Sequence, residues 1–420
     1  MSSPVAGRTA LLAVVLLLAG VTAGLAGSAS GPAADTGDSR TLQASLGQAN
    51  GTTNYLQVPD EDLQRTGLYR ASVDVTAATR IDGDRLALEH AFESFRTRFE
   101  RADTEAERTA AVRELTETLD DHTATLRQRQ ERAIDRYNAG DLGPNEFIVV
   151  LTRVDATAEE VQDTAGSVIT LDETTLDYTL PPEYETQLRN YEADVLTSRG
   201  LIREVEFRPA IAGSGPSRLV YVETGSESVV VTTIVNDRYV REGFDTRALD
   251  PDGTPQLRTF LDALNRAEVL YPWAMAPSSQ KQPPRVETLR NASIFSVDVS
   301  HVQGELSLYL DASTTDVFKE QQIRDLTTVT PPRTYTNGSG EFELTVNATH
   351  DTGPLEVSIV RRTTGGGANA SVSIDGTSVG TTGPDGRLWT LDTRGTTSVR
   401  VTTANNATFT IEVPPGEGSR

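Results

Sequence analysis

Residues 104–140 read TEAERTAAVRELTETLDDHTATLRQRQERAIDRYNAG. Thr104 with Glu107 three positions later is a capping-box signature for a helix start. Val112, Leu115, Leu119, His122, Leu126, Ala133 and Tyr137 then recur at helical spacing and form one apolar stripe. Gly140 is a natural stop. Upstream, Leu88, Phe92, Phe95 and Phe99 make a similar stripe that ends at Arg101-Ala102-Asp103. Downstream of Gly143-Pro144, Phe147, Val150, Leu151, Val154, Ala158, Val161, Ala165 and Val168 predict a third helix. Short connections favour antiparallel neighbours, so residues 82–168 read as a three-helix hairpin or bundle. Its outer faces are dense in Arg and Glu, the composition of a solvated face.

Away from this helical block the pattern changes to period two. Strand-like runs occupy 55–58 and 69–75 on its N-terminal side. Pro181-Pro182 marks a boundary on the other side. A helix over 183–198 leads into strands at 218–223, 228–235 and 238–242, with Asn236-Asp237 as a hairpin turn. Residues 254–270 read as an amphipathic helix through Leu257, Leu261, Leu264 and Val269. Strands follow at 293–299, 305–310 and 317–323. The last 75 residues alternate short strands with turns such as Asp375-Gly376 and Asp385-Gly386, the pattern of a small β-sandwich. The expected fold class is multi-domain α+β: an N-terminal antiparallel helical bundle, an α+β middle region and a C-terminal antiparallel β-sandwich. The expected divisions are 1–29 signal peptide or anchor, 30–54 flexible spacer, 55–170 mainly helical, 171–329 α+β with a linker near 276–290, 330–340 linker, and 341–414 sandwich.

The segment ASVSIDGTSVGTTGPDGRLWTL, residues 370–391, resembles carboxypeptidase-regulatory-like and related immunoglobulin-like sandwich modules. The resemblance rests on Asp375-Gly376, Gly380 to Thr382 and Asp385-Gly386, and implies an adhesive or spacer domain without catalysis. The whole chain also resembles a group of uncharacterised exported haloarchaeal proteins. The resembling runs are YNAGDLGPNEF (137–147), VREGF (240–244) and LYLDASTTDVFKEQ (308–321). That group implies architecture and no activity.

Composition bounds the function. The formal net charge is -22 over 420 residues. Such a balance argues against nucleic acid or anionic lipid as partner, because both need basic surface. Lys281 and Lys319 are the only lysines; every other basic residue is arginine. With scarce lysine and many carboxylates the composition looks like that of proteins from salt-loving archaea, where salt screens the self-repulsion. The absence of cysteine excludes disulfides, thiolate metal sites, cysteine nucleophiles and a lipid-modified Cys. Residues 9–26 are an apolar run preceded by Arg8 and followed by Gly27-Ser28-Ala29. This is the layout of a secretory signal, with an uncleaved N-terminal membrane anchor as the alternative. Asn50, Asn291, Asn337, Asn347, Asn369 and Asn406 each begin an Asn-X-Ser/Thr glycosylation sequon.

The remaining motifs carry bland readings. Gly376-Thr-Ser378-Val-Gly380 matches the nucleophile elbow, but the residues after it cannot begin a helix. His90, His122, His301 and His350 stand alone in sequence, without the i, i+4 partner a helical metal site needs. Asp250-Pro-Asp-Gly253 and Asp82-Gly-Asp84 lack the further ligands of a calcium loop and read as turns or helix caps. No catalytic, cofactor-binding or metal residue is assigned, and no cofactor. The expectation is a non-catalytic cell-envelope or secreted protein mediating interaction, assembly or spacing. Its expected partners are other envelope proteins or surface glycans, with membrane anchoring through 9–26 in the alternative where the leader stays uncleaved. The alternatives are an extracytoplasmic ligand-binding or sensory protein and a secreted enzyme with an unrecognised site.

Overall fold

The computed structural model describes residues 56–71, 75–175, 177–208 and 218–416. The leader, the spacer and Asn50 lie outside the described residues. Three long helices carry the apolar stripes: α1 (Val75–Arg101), α2 (Glu105–Asn138) and α3 (Pro144–Thr174). The Thr104–Glu107 capping box forms as its sequence predicts. The helices pack through Leu88, Phe95, Phe99, Leu115, Leu119 and Val161, all buried. A fourth helix, α4 (Pro182–Asp194), closes this core with Leu188 and Tyr191. Asp82-Gly-Asp84 lies inside α1, not in a turn. A glycine there costs about 1 kcal/mol, which the packing of the following stripe outweighs.

The described strands of the first 330 residues make one antiparallel sheet of eight. They are β1 (Arg65–Ala71), β2 (Arg218–Thr224), β3 (Ser228–Val235), β4 (Arg238–Asp245), β5 (Arg285–Leu289), β6 (Ile294–His301), β7 (Gly304–Asp311) and β8 (Val317–Asp325). The order β1-β2-β3-β4-β8-β7-β6-β5 describes two four-stranded meanders joined at β4 and β8. Asn236 and Asp237 take φ of 49° and 59° in the tight β3–β4 turn, the left-handed pair such a hairpin requires. α2 and α3 cover one face of this sheet, packing Tyr137, Phe147 and Leu151 against Val222 and Val231. The other face is covered by α5 (Phe260–Leu270) and α6 (Pro272–Met275).

Several local expectations change. Residues 56–59 are not a strand, although Leu56 and Val58 are buried. β1 ends at Ala71, and Val75 already begins α1. The predicted helix over 254–270 starts only at Phe260, capped by Thr259 and Asp262. It buries Ala263, Ala267 and Leu270 and leaves Leu261 and Val269 exposed, because the small residues let it lie close to the sheet. The expected linker near 276–290 contains β5, and Gln280 bridges to His301. The expected linker over 330–340 is largely a strand, β9 (Arg333–Ser339). Prolines at the start of an edge strand cost no ladder hydrogen bond.

β9 opens a two-sheet sandwich with β10 (Phe342–Ala348), β11 (Pro354–Arg361), β12 (Ala370–Ile374), β13 (Thr377–Thr381), β14 (Arg387–Leu391), β15 (Thr397–Thr403) and β16 (Thr408–Val413). The sheets run β14-β11-β10-β9 and β13-β12-β15-β16. Leu344, Val357, Val372 and Val401 fill the space between them. That core continues into Leu68, Tyr221, Tyr239 and Leu326 of the large sheet, so sandwich and sheet share one apolar cluster.

The central strand pair is charged. On the α5 face, Arg241 and Glu320 are both fully buried and pair at 2.8 Å. Glu320 also accepts from the Leu56 N–H and the Tyr271 hydroxyl, each at 2.6 Å, and Arg241 donates to the Leu56 carbonyl. Removing one partner strands the other charge in the core. Glu320→Gln or Arg241→Met is expected to lower the unfolding free energy by about 3 kcal/mol or more. Denaturant titration of both singles and of the Arg241→Met/Glu320→Leu double will show a double-mutant cost below the sum of the singles.

Candidate functional site

Two polar constellations lie on the helical side of the sheet. The first is a buried charged seam between α3, the π-helical turn Arg203–Phe207 and the central strands. Arg203 is 2% exposed and donates from Nε to Glu242 at 2.9 Å. Glu242 also accepts the Ile202 N–H at 2.7 Å. Burial raises the Glu242 carboxyl above its ordinary range, and Arg203 opposes the shift. Asp155, fully buried on α3, accepts the Gly200 N–H at 2.9 Å and pairs with Arg208. Lys319 reaches into this seam and donates to the Leu196 carbonyl at 2.8 Å. Burial lowers its ammonium to about 7, with Arg203 adding to the shift and Glu242 opposing it. The space beside Lys319, about 10 Å³ and bounded by Leu151, Arg203, Val229, Glu242 and Phe244, holds at most one water. The seam therefore has room to hold the fold and none for a substrate.

The second is a cavity of about 340 Å³ where α2, the 3-10 turn Leu196–Ser198, the β2–β3 turn, the segment after β4 and the β5–β6 turn converge. Ile134, Phe244, Leu249 and Ile294 form apolar wall. Arg127 and Arg290 both pair with Asp194 at its edge. Gln130 stands in the wall, 4% exposed, and its side-chain oxygen has no donor. Sequence reading missed this site because its parts are scattered from residue 127 to residue 294. One signal was present: Gln130 falls at i+4 from Leu126, where the α2 stripe calls for an apolar residue. A wider groove of about 1200 Å³ runs between α3, α4 and the β5–β6 turn, with Asn291 on its wall.

The residues singled out in sequence do not converge. Asn291, Asn337, Asn369 and Asn406 are exposed; Asn347 is half-buried, donating to Glu356 and accepting from Thr334. Ser378 is exposed on β13, and no helix follows it. His90 lies exposed on α1 and His122 half-buried on α2. His301 is buried edge-on against Trp273, and burial lowers it to about 4, with Arg324 adding to the shift. His350 is buried under the sandwich, where burial lowers it to about 3. Asp250 and Gly253 close a turn. Among the described residues no group of three or more His, Asp or Glu could hold a metal, and no helix is long and apolar enough to cross a membrane.

A family model for a domain of unknown function, DUF7096, matches residues 1–215, just over half of the chain. The chain belongs to the DUF7096 family. In this DUF7096 protein a second family of unknown function, DUF7094, matches residues 220–330, and an archaeal fibronectin-III type-like domain matches 333–410. The C-terminal sandwich is thus an immunoglobulin-like module, as the 370–391 motif implied. No curated protein and no solved structure matches the chain.

Lys319 gives the seam a measurable signature. Its folded pKa lies below the unfolded value, so the unfolded chain binds more protons between about pH 7 and pH 10. This contribution to stability rises with pH across that window and is constant below it. Lys319→Met is expected to remove a slope of at most about 1.4 kcal/mol per pH unit, read from denaturant unfolding between pH 7.5 and 9.5.

Proposed function

We propose that this DUF7096 protein is a non-catalytic protein of the outer side of a cell envelope, exported or anchored through residues 9–26. In this reading it presents its fibronectin-III-like module in a fixed orientation for assembly with other envelope proteins or surface glycans. The observation that carries the reading is how the module is seated. Besides the shared apolar cluster, Arg394 donates to the Val58 carbonyl at 2.8 Å and lies 3.5 Å from Glu223, which is 1% exposed. The Arg394 N–H donates to the Tyr221 hydroxyl at 3.1 Å, and Tyr239 donates to the Thr352 carbonyl at 3.4 Å. Arg70 of β1 reaches the Ser378 carbonyl at 3.2 Å. A module acting as a loose tether needs none of this. A module that must point one way needs a continuous core and a pinned corner.

The acidic composition, the leader and the sequons support the address. The net charge of -22 favours solubility and disfavours anionic partners. Asn291, Asn369 and Asn406 are exposed and are the sequons best placed to carry glycans. Asn347, with both ends of its amide engaged, is expected to stay unmodified.

Protease treatment of intact cells is expected to degrade the native chain, and mass spectrometry of the surviving peptides to find glycans at one or more of Asn291, Asn369 and Asn406; Asn337, also exposed, has its amide N–H on the Thr410 carbonyl. Recovery of full-length, unmodified protein from the cytosolic fraction sinks the proposal. For the seating, Arg394→Ala leaves the buried Glu223 without its cation. It is expected to cost about 2 kcal/mol and to speed proteolytic cleavage between β8 and β9.

A further inference from the structure

The outer surface of the α2–α3 hairpin carries a cationic groove in an otherwise acidic protein. We propose that this groove docks an anionic polysaccharide, its sulfate or uronate groups lying along Arg129, Arg132, Arg136 and Arg153. The inference rests on the envelope reading above and names the glycan chemistry that the chain would recognise there.

Charge carries the argument. The chain holds 38 basic residues against 60 acidic ones. The groove, about 420 Å³, is lined among the described residues by those four arginines and by no acidic residue. Elsewhere on this helical block exposed arginines meet carboxylates: Arg85 meets Glu89, Arg96 meets Glu93 and Arg189 meets Glu185. Arg132 and Arg136 are exposed, and among the described residues no carboxylate stands at ion-pair distance from either. Arg132 rests instead on Gln128, donating from Nε to its carbonyl at 3.2 Å and from Nη2 to its amide oxygen at 2.5 Å. Arg65 adds a cation at the loop end, where its Nη1 donates to the Tyr137 and Leu142 carbonyls at 2.5 and 3.3 Å. All four acceptors are neutral, so these charges stay unanswered. The neighbouring carboxylates are turned away. Glu131 stands in the wall of the Gln130 cavity, on the opposite side of α2. Asp135 lies about 100° round the helix from Arg136. Glu146 accepts the Gly143 N–H at 3.1 Å, and Asp141 of the α2–α3 turn is not in the lining.

Shape selects the kind of anion. Arg129, Arg132 and Arg136 fall at i, i+3 and i+7, a single line that climbs about 10 Å along α2. Arg153 faces them from α3, and Ala133, Leu142 and Val150 floor the trough between the helices. A row of charges in a trough fits a chain whose own charges come in a row. Guanidinium forks match carboxylates and tetrahedral oxyanions two bonds at a time. A stiff glycan arrives with its charges already spaced. An acidic polypeptide has to order each flexible side chain and pays more entropy. The repulsion from a net charge of -22 falls off over about 10 Å at 0.1 M salt, so it opposes distant approach more than contact.

Calorimetric titration of the full chain with dextran sulfate, polygalacturonate, unmodified dextran and poly-L-glutamate tests the proposal. At least one of the two anionic polysaccharides is expected to bind, at least tenfold more tightly than poly-L-glutamate, while dextran gives no binding heat. The sulfate and uronate arms tell which group the arginines prefer. Arg132→Gln/Arg136→Gln should keep the melting temperature, because both side chains are exposed, and weaken the bound polysaccharide tenfold or more. Arg113→Gln, on the same helix but outside the groove, should leave the affinity unchanged. If neither polyanion binds, if poly-L-glutamate binds as tightly, or if the double variant binds like the native chain, the proposal is overturned. Recovery of the protein from the cytosol would instead sink the envelope reading while leaving these affinities as measured.

Discussion

The Arg241–Glu320 ion pair, fully buried at the junction of two four-stranded meanders, is the constraint on which the rest of the structure depends. Charges in a core survive when they are paired and further hydrogen-bonded. Here Glu320 takes the Leu56 N–H, the Tyr271 hydroxyl and the Gln322 amide, while Arg241 takes the Leu56 carbonyl. The pair thereby ties together β4, β8, the Tyr271 junction between α5 and α6, and the first described residue. On the opposite face Glu242 and Lys319 do the same for the helical side, through Arg203 and the Leu196 carbonyl. The sheet is sealed from both faces by polar groups in its middle, and its apolar packing is arranged around them.

This arrangement explains why one sheet spans most of the chain. β1 enters from the N-terminal side of the helices and β5–β8 from beyond α5, yet all lie in a single hydrogen-bonded ladder. The segment that matches DUF7094 therefore shares its sheet with a strand from the segment that matches DUF7096. The fibronectin-III-like module is seated on this assembly through Tyr221, Tyr239 and Arg394. The cavity at Gln130 exists for the same reason. Its walls are turns that only the shared sheet brings near α2.

Much of the architecture was legible in the residues. The three apolar stripes, the Thr104–Glu107 box, the Asn236-Asp237 hairpin and the alternating C-terminal strands all state their local structure, because each depends on neighbours within one turn or one hairpin. The errors fell where tertiary contact overrides pattern. α5 turns its alanines inward because closeness to the sheet decides, and a hydrophobic count alone gives the wrong face. The segments rich in Pro and Gln before β5 and at β9 become strands because a sheet edge is waiting for them.

By itself the sequence determined composition, charge, helix and strand periods, the apolar leader and the immunoglobulin-like character of the C-terminal module. These follow from short-range patterning and from which residue types are present at all. Only the tertiary structure decided that Arg241 meets Glu320, that Lys319 is buried, that the module is seated and that Arg127, Gln130, Asp194 and Arg290 share one cavity. Such pairings span tens to hundreds of residues. Nothing in a local period specifies them, because they are fixed by where the chain returns and by the cost of leaving a buried charge unanswered.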